Sequence, residues 1–309
     1  MKEIVVCGES LVDLVAHTGG LAPLRPALGG GPFNVAVALG RLGSAVSFCS
    51  RVSTDHFGDE LVASLHAAGV NLSLLQRDPD APTSLALASL GDDGAASYTF
   101  YVEGTADRRV VDPGPLPGTV GALAFGTLSL VLEPGASVYE QMMHTHHAQG
   151  RLIMLDPNIR TPVIADADAY RRRFVSWLPS VDVVKVSDDD ADWLADGPGG
   201  SRPADWLDAG VGAVVTTRGG AGLAVTTGEF TAEVAAPAVV TADTIGAGDT
   251  VVGALLHWLG AHGALGAEAV RDLDRDAWQE ALSFAARAAA ITVSRPGADP
   301  PWAGELTSD

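Results

Sequence analysis

The stretch VVTADTIGAGDTVVGALLHWL, residues 239–259, sets a glycine-rich turn directly before an apolar segment. From Val251 onward the apolar residues recur at three- and four-residue spacing, which predicts a helix. Gly246 and Gly248 stand just upstream, although a glycine costs about 1 kcal/mol relative to alanine inside a helix. Asp249 follows them directly. The stretch therefore predicts a helix whose first residues leave room for a close neighbour and carry one carboxylate.

This turn has the features of an anion site. Unpaired backbone N–H groups and the helix dipole attract anions to a helix N-terminus, and glycines let the backbone approach closely. A carboxylate there would repel an anion unless it takes a proton from an incoming hydroxyl group. The segment fits phosphoryl transfer to an alcohol, with amides stabilising the phosphoryl charge and Asp249 as the base. The alternative for Asp249 taken alone is an ordinary helix N-cap.

Four other segments carry polar residues at turns or strand ends. Asp13 follows the first strand by a few residues, where a parallel sheet places its ligand crevice. GGGPFNVAVALGRLG (29–43) is a glycine-rich turn that enters a helix with Asn34 in the first turn. LDPNIR (155–160) suits phosphate and hydrated Mg²⁺, and TTRGGAGLAV (216–225) is a second glycine cluster. Taken singly, each also fits a surface charge, a capped turn, a polar loop or a β-turn.

Strand-like and helical segments alternate along most of the chain. This alternation predicts a mostly parallel sheet covered by helices on both faces. The predicted strands are 3–8, 45–52, 120–126, 151–158, 181–187 and 212–219, and helices are predicted through 33–43 and 55–69. Residues 83–102 predict a hairpin joined by Asp-Asp-Gly, and 11–20 predict a further strand. We expect one domain, 1–309, with a small β lid from about 11–28 and 83–110.

The charge of the chain limits its partners. It carries 19 basic and 38 acidic residues, a formal net charge of −19. Nucleic acids and anionic membranes need a basic surface, so neither is an expected partner. Lysine occurs only at Lys2 and Lys185, outside any Walker A pattern, which ends in Gly-Lys-Ser/Thr. A nucleotide would therefore be bound without that loop.

Composition also indicates the compartment. No apolar run reaches the roughly 18 residues that a membrane helix needs, and MKEIVVCGES lacks the apolar region of a signal peptide. Cys7 and Cys49 lie in apolar, strand-like runs, which favours buried thiols over a disulfide. We therefore expect a cytoplasmic protein.

Together these motifs resemble the ribokinase family of carbohydrate kinases, the phosphofructokinase-B type. DTIGAGD (243–249) is similar to the C-terminal signature of that family, and residues 29–43 resemble the N-terminal one. DPNIR (156–160) and TTRGGAG (216–222) lie in the expected order between them. The resemblance covers nearly the whole chain. It implies a ribokinase-like α/β fold, a doubly wound, mostly parallel sheet sandwiched by helices, with a small β lid.

The resemblance also implies roles for individual residues. Asp249 would be the catalytic base, and the anion hole would be formed by Gly246, Ala247 and Gly248. The sugar would be bound by Asp13, Gly30, Gly31, Asn34 and Arg160. ATP would be bound by Ser187, Thr217, Gly219 and Gly222. Asp190 would help to hold Mg²⁺, and a monovalent cation, usually K⁺, would lie beside Asp243 and the Ile245 carbonyl.

Two departures from the family pattern affect these roles. Many members have Asn-x-x-Glu where this chain has Ser187 and Asp190, so the carboxylate is one methylene shorter and a water can intervene. Arg160 has no counterpart in many relatives. For its side chain a phosphate contact and a salt bridge to a nearby acid both stay open.

The choice of sugar rests on shorter motifs. Five of them resemble the fructokinase branch of the family. They are KVSDDD (185–190), DPNIR, YVEGTAD (101–107), FGTLSLVLEPG (125–135) and SRPGA (294–298). The resemblance implies ATP-dependent phosphorylation of fructose, with Mg²⁺, and a homodimer through the lid as in several members. Ribose, 2-keto-3-deoxygluconate or a nucleoside are alternative substrates, and a non-catalytic sugar- or nucleotide-binding protein is a further alternative. A dinucleotide-dependent oxidoreductase is disfavoured, because GESLVD after the first strand lacks Gly-x-Gly-x-x-Gly.

Overall fold

Thirteen β-strands form two sheets in the structure, a computed structural model that describes residues 2–16, 23–90 and 96–306. The strands are β1 Glu3–Cys7, β2 Leu11–Ala16, β3 Leu24–Gly29, β4 Val46–Ser53, β5 Leu75–Asp78, β6 Ser84–Leu90, β7 Ala96–Tyr101, β8 Val120–Gly126, β9 Leu152–Asp156, β10 Val183–Ser187, β11 Ala213–Thr217, β12 Leu223–Thr227 and β13 Thr231–Val234. Nine of them form one sheet in the order β13-β12-β11-β10-β9-β8-β1-β4-β5, and β3-β2-β6-β7 form the other.

The same described residues contain ten α-helices. They are α1 Gly31–Arg41, α2 His56–Ala67, α3 Gly135–His147, α4 Ala167–Trp177, α5 Asp188–Ala195, α6 Pro203–Asp208, α7 Ala247–Ala261, α8 Ala267–Arg271, α9 Arg275–Val293 and α10 Ala303–Leu306. Short 3₁₀ turns follow or join several of them. None of the described helices is both long and apolar enough to cross a membrane.

The nine-stranded sheet is buried on both faces. Ile4 and Val6 of β1 pack into one core with α1, α2, α7 and α9, whereas Val5 and Cys7 pack into a second core with α3, α4, α5 and α6. Successive side chains of a strand point to opposite faces, so an all-apolar strand such as β1 needs a layer of helices on each side. The predicted doubly wound α/β architecture is confirmed.

The sheet is parallel except at one edge. Strands β5, β4, β1, β8, β9, β10 and β11 run parallel, and β12 and β13 add antiparallel pairs beyond β11. The carboxyl ends of the parallel strands therefore lie at one edge of the sheet, where α/β proteins bind ligands.

The second sheet lies within the segments expected to form the lid. Strands β6 and β7 form the predicted antiparallel hairpin, and β2 pairs in parallel with β6. The predicted Asp-Asp-Gly turn at 92–94 and the end of the predicted strand at 17–20 lie outside the described residues. The edge strand β3 was not predicted, because it is mostly exposed, contains Pro26 and shows no apolar alternation.

The two cysteines are neighbours in the sheet. Cys7 of β1 lies opposite Cys49 of β4 in the parallel register, and both are buried free thiols. The prediction of buried thiols is confirmed.

Candidate active site

Helix α7 starts at the glycine-rich turn. Gly246 precedes its first residue with φ 76°, a left-handed conformation that favours glycine, and a Cβ there would lie 2.6 Å from the Cβ of Ala298. Asp249 is the third residue of the helix and is buried. The N-cap alternative for Asp249 is wrong, since Gly246 occupies that position. Among the described residues, the N–H groups of Gly246 and Gly248 have no acceptor, while Ala247 donates to Thr244 at 3.3 Å.

Helix α1 brings an amide to this carboxylate. It begins at Gly31, after Gly30 with φ 103°, and its first turn contains Asn34. Nδ2 of Asn34 donates a hydrogen bond of 2.8 Å to Oδ2 of Asp249. Burial raises the pKa of Asp249 to about 6, although the bond from Asn34 opposes that shift. The two glycine-rich turns that are far apart in the sequence therefore meet in space.

A cleft of about 870 Å³ lies in front of these helix starts. Polar side chains in its lining include Glu9, Asp13, Asn34, Asn158, Arg160 and Asp249. Apolar side chains from the smaller sheet, Leu11, Tyr98 and Phe100, line it as well. A cleft with a few convergent polar groups and a carboxyl group of raised pKa is the usual form of a small-molecule site.

Asp13 and Arg160 enter the cleft from different elements. Asp13 lies on β2, and burial raises its pKa to about 6, with Arg160 opposing the shift. The guanidinium of Arg160 donates to the carbonyls of Asn158 and Ile159 at 3.3 and 3.0 Å. No carboxylate of the described residues lies within 4.0 Å of it, so the salt-bridge alternative for Arg160 is not observed.

Gly31 lies against three polar side chains. A Cβ on Gly31 would lie 2.5 Å from Oγ1 of Thr127, 3.3 Å from Nδ2 of Asn158 and 3.4 Å from Oδ1 of Asp249. Thr127 and Asn158 have positive φ angles of 60° and 40°, which non-glycine residues adopt rarely and often at functional sites. Sequence reasoning named Asn158 only as the amide of LDPNIR, a segment suited to phosphate and hydrated Mg²⁺, and gave Thr127 no role. Thr127 lies in FGTLSLVLEPG, which resembles the fructokinase branch, but no signal within that segment marks it as a site residue.

A second pocket, of about 510 Å³, lies on the other side of the start of α7. It contains Thr217, Gly219 and Gly222 from the loop after β11, and its remaining lining is mostly Ala, Val and Pro. Gly222 has φ 102°, and a Cβ there would collide with the carbonyl oxygen of Val234. Thr244 and Gly248 line both this pocket and the larger cleft, so the N-terminus of α7 separates the two.

Ser187 and Asp190 make local contacts at the end of β10. The Ser187 hydroxyl caps α5 by accepting the Asp190 N–H at 3.1 Å, and Oδ1 of Asp190 accepts the Ile159 N–H at 3.1 Å. Neither residue lines the two pockets, whereas their neighbour Asp189 lines the larger cleft. Asp190 therefore holds the loop that carries Arg160 against α5.

Asp243 also binds backbone amides. Its two carboxylate oxygens accept the N–H groups of Ile245 at 3.0 Å and Gly297 at 2.9 Å, and Ile245 lines the larger cleft. Within the described ranges, no group of three or more His, Cys, Asp or Glu side chains could hold a metal ion.

Lys185 is a further residue whose role sequence reasoning missed. Its Nζ donates to Oδ2 of Asp156 at 2.8 Å, and it lines the larger cleft beside Gly248. In the sequence it appears only as a lysine inside an apolar strand and as the first residue of KVSDDD, without a role of its own.

Known proteins share this architecture. The sequence pattern of the pfkB family carbohydrate kinases matches residues 1–303. A fructokinase of Rhizobium leguminosarum bv. trifolii is 36% identical over 279 residues, which are 89% of this chain and 85% of that protein. The crystal structure of a fructokinase with bound ATP from Xylella fastidiosa is similar with a TM-score of 0.89 and 28% identity, covering 98% of this chain and 97% of that chain.

A second similar solved structure contains both a sugar and a nucleotide. It is a fructokinase from Vibrio cholerae O395 in a fructose-, ADP- and calcium-bound form, with a TM-score of 0.80 and 27% identity, covering 96% of this chain and 94% of that chain. Since the family pattern spans residues 1–303 and the Rhizobium fructokinase covers most of the chain, this protein belongs to the pfkB family of carbohydrate kinases.

Proposed function

We propose that this carbohydrate kinase transfers the γ-phosphoryl group of ATP to a hydroxyl group of fructose. The observation that carries the proposal is the position of α7, whose N-terminus, with Asp249 in its first turn, separates a polar cleft from an apolar pocket. A polar cleft suits a sugar, and the apolar pocket suits a purine base. Relatives named fructokinase, one of them solved with fructose and ADP, support the choice of sugar.

Asp249 is proposed as the general base. Its carboxylate is buried and, with a pKa of about 6, is mostly ionised at neutral pH yet more basic than an ordinary aspartate. The sugar hydroxyl would give its proton to Asp249 as its oxygen attacks the γ-phosphorus. The N–H groups of Gly246 and Gly248, which have no acceptor in the described part of the chain, would stabilise the charge on the phosphoryl oxygens.

The sugar would lie between the base and the smaller sheet. Asp13, Asn34 and Arg160 line that part of the cleft, and the Gly30–Gly31 turn has no side chain to block it. The aromatic side chains of β7, Tyr98 and Phe100, line the same cleft. The smaller sheet is therefore proposed to act as a lid that excludes water from the sugar.

ATP is proposed to occupy the second pocket. Thr217, Gly219 and Gly222 would bind the nucleotide there, with Ser187 nearby at the end of β10. Mg²⁺ keeps several waters when it binds phosphates, so Asp190, with one oxygen held by the Ile159 amide, fits a water-mediated contact. When bound, the metal would neutralise charge on the phosphate oxygens. A K⁺ ion beside Asp243 and the Ile245 carbonyl stays a prediction, tested by replacing K⁺ with choline in the assay.

The test is ADP formation from Mg-ATP with fructose, ribose, 2-keto-3-deoxygluconate and adenosine. We expect kcat/KM for fructose to exceed the other values by about tenfold or more, as differential hydroxyl recognition allows. Turnover only with another acceptor would keep the kinase and reject fructose. Sugar binding by calorimetry without any turnover would indicate a non-catalytic member instead. The homodimer through the lid is also a prediction, tested by light scattering.

A further inference from the structure

Lys185 is a buried cation at the carboxyl ends of the central strands. It lies on β10, only 4% of its surface is exposed, and Nζ donates to Oδ2 of Asp156, the last residue of β9. Burial by itself lowers the pKa of a lysine, but the carboxylates of Asp156, Asp249 and Asp190 together outweigh it, so the pKa of Lys185 is raised. The ammonium group is therefore charged at neutral pH.

The ammonium group lies against the first turn of α7. A Cβ on Gly248 would lie only 2.7 Å from Nζ of Lys185. Glycine at position 248 therefore leaves the space that the ammonium group occupies. Lys185 lines the larger cleft together with Gly246 and Asp249, and Gly248, which its ammonium group faces, lines both pockets.

The ammonium group of Lys185 has hydrogen-bond donors that no described residue accepts. It carries three N–H bonds, and Asp156 is its one acceptor among the described residues. Carboxylates crowd the same cleft, and they belong to Glu9, Asp13, Asp189 and Asp249. In the part of the chain that the structure describes, Arg160 is the other cation in that lining, and it already donates to two carbonyls. Lys185 therefore offsets negative charge that would weaken the binding of a phosphoryl group in this cleft.

We propose that Lys185 binds the phosphoryl group in transit, together with the N–H groups of α7, while Asp156 holds the ammonium group in place. This inference rests on the proposed phosphoryl transfer. The γ-phosphorus gains a bond to the sugar oxygen and loses its bond to the β,γ-bridging oxygen, the sugar proton goes to Asp249, and ADP leaves. Lys185 keeps its three protons throughout and acts by charge and hydrogen bonding.

The test compares ADP binding with and without fluoroaluminate, which mimics the transferred phosphoryl group. Calorimetry is done on wild type and Lys185→Met in the presence of fructose and Mg²⁺. We expect fluoroaluminate to tighten ADP binding to wild type strongly, and Lys185→Met to lose most of that gain while its affinity for ADP alone stays within about threefold. Turnover should fall by roughly 10²- to 10³-fold, as for the loss of one oxyanion donor.

Asp156→Asn is the matched control, because it keeps Lys185 and, in the amide oxygen of asparagine, an acceptor for its ammonium group. We expect it to keep the larger part of the fluoroaluminate gain, whereas Lys185→Met/Asp156→Asn should not. The double variant also serves if the uncompensated Asp156 carboxylate prevents Lys185→Met from folding. Three results would overturn the proposal. In the first, fluoroaluminate tightens ADP binding to Lys185→Met as much as to wild type. In the second, Lys185→Met loses affinity for ADP alone to the same extent as for ADP with fluoroaluminate, and in the third, Asp156→Asn and the double variant lose equal parts of the fluoroaluminate gain. Wild type with no fluoroaluminate gain and no turnover would reject the proposed function itself.

Discussion

Asn34 donates a hydrogen bond of 2.8 Å to Asp249 and joins the first turns of α1 and α7, 215 residues apart in the sequence. The two helices approach closely, since a Cβ on Gly253 of α7 would lie 2.8 Å from the Cβ of Ala38 of α1. This contact lets one amide and one carboxylate meet in a buried site. The proposed base is thus oriented by an amide from the other glycine-rich turn.

Asp249→Asn should abolish most of the turnover and leave the fold intact. Loss of a general base costs about 10²-fold or more, because the sugar hydroxyl keeps its proton. The check is steady-state ADP formation at pH 7.5, with Asp276→Asn as the matched control, an exposed acid in the first turn of α9. Turnover of Asp249→Asn within tenfold of wild type would contradict the assignment of the base.

The same substitution should stabilise the protein at neutral pH. The folded state raises the pKa of Asp249 from 3.8 to about 6, so the ionised carboxylate is disfavoured by folding above pH 6 and the cost disappears below pH 4. By linkage this cost is up to about 3 kcal/mol, and asparagine removes it. Urea unfolding should show Asp249→Asn more stable at pH 7.5, with the difference shrinking at pH 4.5. A difference that grows at the lower pH would contradict the sign.

Activity should fall on the acid side of pH 6. The pKa values of Asp249 and Asp13 are both raised to about 6 by burial, and the charges that face Asp249 are Asp156, Lys185 and Arg160. Protonated Asp249 cannot act as a base, so kcat/KM should drop about tenfold per pH unit, and more steeply if Asp13 must be ionised as well. The Asp13→Asn variant, measured across pH 4.5 to 8, should then retain only the shallower slope.

Asn34→Ala should move the acid limb of that profile. The hydrogen bond from Asn34 lowers the pKa of Asp249, so its removal raises that pKa and shifts the limb to higher pH. Asn158→Ala is the control, because Asn158 lines the same cleft but donates to Thr127, at 3.5 Å, and not to Asp249. If the acid limb of kcat/KM lies at the same pH in wild type, Asn34→Ala and Asn158→Ala, the Asn34 contact does not set the pKa of the base.

Gly222→Ala should weaken both the fold and ATP binding. Gly222 has φ 102°, and a Cβ would meet the carbonyl oxygen of Val234, so we expect a loss of roughly 1 to 3 kcal/mol in the free energy of unfolding. Gly228→Ala is the matched control, since a Cβ there has no neighbour within 4 Å and the backbone is not left-handed. The measurements are urea unfolding and ATP titration. Equal stability of the two variants would contradict the expected strain.

Local signals in the sequence were enough to predict much of the fold. Apolar runs predicted strands such as 120–126, which is β8 to the residue, and the motifs of 29–43 and 243–249 indicated the family that the comparisons confirm. These features depend on a few neighbouring residues, so they can be read without the fold. Strand β3 escaped prediction because an exposed edge strand needs no apolar pattern.

The site depends on contacts between distant segments. The glycines and Asp249 mark the start of α7 in the sequence itself, because helix spacing and left-handed turns depend on local chemistry. That Lys185 reaches Gly248, and that Asn34 reaches Asp249, follows from the order of parallel strands and the packing of two helices. A side chain buried between elements obtains its charge, its pKa and its partners from neighbours that are remote in the chain. The chain alone therefore indicates which chemistry is present, and the packing of the elements determines which groups perform it together.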